Sequence, residues 1–121
     1  MQREWSLAGY KEVMDDHAFK ARTDATFTDL QRRLLSASEQ HPFEADFNSG
    51  ALTIEFEGPP AKFIVSPNAP VHQIWVSAHS KSFKFDWDDS AAAFVLPSTG
   101  QTLAAMIAEA IGQQLGEQVT L

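Results

Sequence analysis

In His72-Gln73-Ile74-Trp75-Val76-Ser77 two kinds of side chain alternate. In an extended chain Ile74 and Val76 share one face, while Gln73, Trp75 and Ser77 share the other. The aliphatic face is the one a core takes, so the pattern predicts a strand with Trp75 on the solvent side among polar neighbours. A large aromatic there has two readings. It is an anchor for a partner, since tryptophan is enriched at binding hot spots. Or it covers neighbouring strands, or is itself shielded by an N-terminal extension.

The same alternation extends to both sides of this strand. Upstream, Leu52, Ile54 and Phe56 alternate with Thr53, Glu55 and Glu57, giving one apolar and one acidic face. Asn48-Ser49-Gly50 is turn chemistry and joins this strand to a short one from Glu44 to Phe47. Gly58-Pro59-Pro60 predicts the next turn, a strand at Lys62 to Ser66 follows, and Pro67-Asn68-Ala69-Pro70 breaks the chain again. Downstream, Ser82 to Asp88 turns Phe83, Phe85 and Trp87 inward and Lys84 and Asp86 outward. This aromatic stripe reads as core rather than a cofactor box, because large apolar residues at strand period are mostly buried. A last strand at Ala92 to Leu96 ends at Pro97-Ser98-Thr99-Gly100. Five or six short strands joined by tight turns predict an antiparallel meander.

Helical periods flank the strands. Phe19, Thr23, Phe27, Leu30, Leu34 and Ala37 recur at three- and four-residue steps and mark one buried stripe. Asp15 and Asp16 suit the start of that helix, and Arg32 and Arg33 suit its end. His41-Pro42 lies beyond it. Leu103, Met106, Ile107, Ala110 and Ile111, with Gln114 or Leu115, form a second stripe that stops at Gly116. The order helix, strands, helix predicts an α+β fold with two helices packed on one face of a five- to six-stranded antiparallel sheet. Residues 1–14 are expected to be an extension, partly helical and packed through Trp5 or Tyr10, leaving 15–121 as the domain.

Composition narrows the function. A chain of 121 residues suits one domain. With 16 acids against 9 bases the net charge is −7, which disfavours nucleic acid and suits metal ions or basic protein surfaces. The absence of cysteine excludes disulfides, thiolate metal sites and cysteine nucleophiles. No apolar run approaches the roughly 20 residues of a membrane span, and the N-terminus lacks a secretory pattern. Asp15-Asp16-His17 and Asp88-Asp89 could offer oxygen and imidazole to a cation, but a helix start and a turn account for them more economically. His17, His41, His72 and His79 are scattered. No phosphate loop, nucleophile elbow or zinc-protease helix is present, so an enzyme is not expected.

Three pieces of this pattern resemble the frataxin family, including its bacterial members. Asn48-Ser49-Gly50-Ala51-Leu52-Thr53-Ile54 is similar to an Asn-x-Gly-Val-Leu-Thr stretch. Pro70 to Ser77 is similar to the segment Pro-x-x-Gln-(Ile/Val)-Trp-Leu-(Ser/Ala). Phe83 to Trp87, then Gly100-x-x-Leu103, are similar to the aromatic-Asp block and the turn into the last helix. The likeness covers about residues 15–117, with Phe19, Asp24, Phe27, Leu30 and Leu34 fitting the first helix loosely.

This resemblance implies a frataxin-like α–β sandwich, a monomer, and a role in iron–sulfur cluster assembly through docking on a cysteine desulfurase and scaffold complex. It places the protein in the cytoplasm if bacterial, or in the mitochondrial matrix if eukaryotic. It implies Asn68, Gln73, Trp75 and Lys84 as partner-binding residues. It also implies iron, weakly held at the surface, with Asp24, Glu39, Glu44 and Asp46 as candidate ligands. The chain departs from the family at the end of the first helix, where Gln31-Arg32-Arg33 stands in place of a run of acids. Two arginines there would repel a cation and pair with nearby carboxylates. A protein-interaction module that binds no metal is therefore the alternative. Ferroxidase activity, attributed to some relatives, lacks the Glu-x-x-His spacing here.

Overall fold

A computed structural model describes residues 14–121. The expected packing of Trp5 or Tyr10 lies outside the described residues. Met14, the first of them, packs half-buried against the core.

Helix α1 spans Asp16–Ala37. Asp15 caps it, its carboxylate accepting from the Ala18 N–H at 2.7 Å, which satisfies one of the orphan donors of the first turn. The six residues of the expected stripe, Phe19 to Ala37, are all buried. The helix end differs from expectation, because its last turn carries no base. Arg32 and Arg33 sit one turn too early to meet the terminal carbonyls. Both instead reach back to Asp29 on the same helix, Arg33 with its Nε at 2.7 Å.

Six antiparallel strands follow in sequence order: β1 Glu44–Asn48, β2 Ala51–Glu57, β3 Pro60–Asn68, β4 Gln73–Ala78, β5 Lys81–Asp88 and β6 Ala93–Val95. Strand β3 runs further than its prolines suggest, pairing Pro67 with Ile74 and Asn68 with Gln73. The break comes later, as a 3-10 turn at Ala69–Val71 closed by His72 in the left-handed region at φ 54°. That conformation is uncommon outside glycine. Here the His72 ring stacks on Phe19 at 5.2 Å and its Nε2 meets an Asp16 carboxylate oxygen at 2.8 Å, tying the turn to the start of α1.

Helix α2 spans Leu103–Leu115, capped by the Thr102 hydroxyl and ended by Gly116 at φ 72°. Both helices lie on one face of the sheet. Between the layers, Leu52, Ile54, Phe63, Val65, Ile74, Phe85, Phe94, Ile107 and Ile111 are almost wholly shielded. Beyond Gly116 the chain turns back over α2, and Val119 is buried. No helix among the described residues is long and apolar enough to cross a membrane.

Candidate docking face

Every strand that sends one residue into the core sends the next to the other side of the sheet, and no element packs there among the described residues. The register lays out that open face in rows. Ser66, Trp75 and Lys84 stand side by side on β3, β4 and β5, as do Asn68, Gln73 and Asp86. Ile64 stands opposite Thr53 on one side and Ser77 on the other, diagonal to Trp75.

Trp75 is the largest side chain on this face and keeps 37% of its surface exposed; Ile64 keeps 39%. The sheet pattern thus puts Trp75 in solvent, the side its alternation predicts, and the described residues provide no cover for it. Its indole is nonetheless held. The Nε1–H donates to Gln73 Oε1 at 2.9 Å, and Gln73 Nε2 donates to Asp86 Oδ1 at 3.0 Å. The Lys84 ammonium lies 4.9 Å from the Trp75 ring centre, within cation–π range. Of the four expected partner-binding residues, Gln73, Trp75 and Lys84 form one connected group. Asn68 joins it through register alone, as the residue opposite Gln73.

Two residues of this face were not singled out in the sequence. Ile64 was hidden by its neighbours, since Phe63, Ile64 and Val65 read as a continuous apolar run; only the alternation of burial separates it from them. Asp86 was read as outward-facing. Its bond to Gln73 depends on the β4–β5 register, in which the two are direct partners.

The expected metal ligands are dispersed. Glu44 and Asp46 share the open face of β1, while Ala45 and Phe47 turn toward the helices, Phe47 meeting Phe27 at 5.8 Å. Glu44 lies directly opposite Glu55, whose carboxylate is 3.6 Å from Lys62 Nζ. Asp24 is on α1, paired with Lys20 at 2.9 Å, and Glu39 is exposed in the turn that follows the helix. Among the described residues no three histidine, aspartate or glutamate side chains are grouped to hold a metal. Glu44 and Glu55 set two like charges at one register position, and Lys62 supplies Glu55 with a counter-charge. The expected ligands do not fit an enclosed resident centre. Arg32 and Arg33 both pair with Asp29, as two bases beside carboxylates are expected to, and Arg33 Nη1 also donates to the Leu121 carbonyl at 3.2 Å. The Arg33 hydrogen bond, more than any other contact, keeps the Asp29 carboxyl below its ordinary value.

Comparison with known proteins gives a consistent picture. Residues 12–117 match the family described as the frataxin-like domain. Over 102 residues the chain is 28% identical to the iron-sulfur cluster assembly protein CyaY of Azotobacter vinelandii, covering 83% of this chain and 92% of that one. It is also 28% identical over 108 residues to the protein of the same name from Tolumonas auensis, covering 89% and 99%. Among solved structures, the frataxin from Psychromonas ingrahamii superposes with a TM-score of 0.76 over 88% of this chain and 97% of that one. Its 22% sequence identity makes this a likeness of fold.

Proposed function

The chain belongs to the frataxin-like domain family, and from that premise we propose that it serves iron–sulfur cluster assembly by docking, through the open sheet face around Trp75, on a cysteine desulfurase and scaffold complex. The pathway comes from the relatives, which carry iron–sulfur cluster assembly in their names. The docking reading rests on one observation above all: a tryptophan left 37% exposed on a sheet face, yet fixed by Gln73 and Lys84. An ordered, half-open indole beside an exposed Ile64 is the kind of centre around which hot spots form, with a polar rim supplied by Ser66 and Asn68.

Burying what Trp75 still exposes would contribute about 2 kcal/mol, taking a large aromatic surface at about 25 cal/mol per Å². That magnitude is enough for one residue to dominate the interface. Lys84 and the acidic β1–β2 margin would steer encounter and register more than they add affinity.

Iron enters as cargo, associated weakly with Glu44, Asp46 and Glu55, with Asp24 and Glu39 as more distant acids. The bacterial relatives favour the cytoplasmic alternative. No catalytic role is proposed. Isothermal titration of the full chain into a reconstituted desulfurase–scaffold complex tests the reading. Saturable binding supports it, and no heat or co-migration at micromolar concentrations overturns it.

A further inference from the structure

We propose that Asp86 is a positioning residue for this face: it sets the polarity of the Gln73 amide and, through it, the orientation of Trp75, without itself contacting the partner. The inference rests on the docking reading above and adds how the anchor is held. An ionised carboxylate only accepts hydrogen bonds, and an indole N–H only donates. The Gln73 amide lies between them with one end of each kind. Asp86 Oδ1 takes the Nε2 end at 3.0 Å, which leaves Oε1 aimed at Trp75 Nε1 at 2.9 Å.

Without the carboxylate only the single indole N–H selects that orientation, and the far end of the amide is left unheld. A flipped amide would set its NH2 against the indole N–H. Asp86 and Gln73 are both half-buried while Trp75 is exposed, so the relay runs from the shielded part of the face to the open part. Lys84 closes the arrangement from the ring side. An indole held at its edge and on its face loses less rotamer freedom when a partner covers it, and that lowers the cost of binding.

The test uses the full chain, with two readouts: the side-chain NMR signals of Trp75 Nε1–H and the Gln73 amide, and affinity for the desulfurase–scaffold complex. Asp86→Ala is expected to speed exchange of the Trp75 indole proton and to weaken binding about threefold to tenfold, the loss of one to two ordered side chains. Asp86→Asn should recover most of both, since its carbonyl still accepts. In a Gln73→Ala background, Asp86→Ala should change neither readout further. Gln73→Glu alone sets two carboxylates together and should lose the Trp75 signature. Adding Asp86→Asn, which exchanges donor and acceptor along the relay, should restore it.

Unchanged Trp75 signals in folded Asp86→Ala protein would overturn the proposal. So would an affinity loss that persists in the Gln73→Ala background, since Asp86 would then be a direct contact. If the wild-type chain has no affinity for the complex, the docking reading fails instead, and the spectroscopic arm still decides the relay.

Discussion

Gly112 lies inside α2, where alanine normally gains about 1 kcal/mol over glycine from helix propensity. The structure predicts the opposite sign here. A Cβ built on Gly112 would stand 2.8 Å from the Glu117 carbonyl oxygen, where ordinary contact begins near 3.4 Å. The obstacle is backbone held in place. Gly116 N and Glu117 N both donate to Gly112 O, at 2.8 and 3.2 Å. The Glu117 carboxylate meets His41 Nδ1 at 3.0 Å, and Val119 is buried just beyond. Forcing the tail outward costs about 1–3 kcal/mol, as overpacking does elsewhere. Releasing it altogether costs no less, since burial of one valine contributes about 1.5 kcal/mol or more and the hydrogen bonds contribute about 1 kcal/mol each. Set against the propensity gain, Gly112→Ala should lose about 1 kcal/mol. Urea denaturation monitored by circular dichroism reads this directly. In a chain truncated after Gly116 the same substitution should become stabilising, because its obstacle is gone. Stabilisation by Gly112→Ala in the intact chain would refute the packing described for the tail.

Other expectations follow from the charged groups. Because the folded Asp29 carboxyl titrates below its ordinary 3.8, its contribution is present above that value and lost as pH falls through the depressed one. Asp29→Asn should therefore lower the urea midpoint near neutral pH and make no difference in strong acid; an equal loss at both would contradict the ion-pair origin. For iron, anaerobic Fe2+ titration followed by NMR should broaden Glu44, Asp46 and Glu55 signals saturably, and Glu44→Gln with Asp46→Asn should abolish the effect. Broadening centred on Asp24 and Glu39 alone would move the cargo site to the helix layer.

The core was legible because it is periodic. The α1 stripe from Phe19 to Ala37 and the inward residues of β2, β4 and β5 are local repeats, and burial follows them. The side taken by Trp75 was legible for the same reason. What stayed hidden depends on contacts across long stretches of chain. His72 meets Asp16 at a separation of 56 residues, and a positive φ at a histidine leaves no compositional mark. The returning tail is signalled by little more than Val119, so the pattern ended at Gly116. Arg32 and Arg33 pair with a nearby carboxylate, as their setting in the sequence suggests, but Asp29 draws them back along the helix and away from the terminal carbonyls. Within the site, the alternation pointed to Trp75 and the family resemblance added Gln73 and Lys84, while only the β4–β5 register joined them and brought in Asp86.

The central claim is that docking is carried by the open sheet face and not by the helix layer. The direct measurement compares Trp75→Ala with Leu35→Ala in affinity for the desulfurase–scaffold complex, since Leu35 is 49% exposed but lies on α1. Loss of about 2 kcal/mol, or roughly 30-fold, is predicted for Trp75→Ala and none for Leu35→Ala, with both variants folded. Equal affinity for Trp75→Ala and wild type, or a loss confined to Leu35→Ala, would contradict the account.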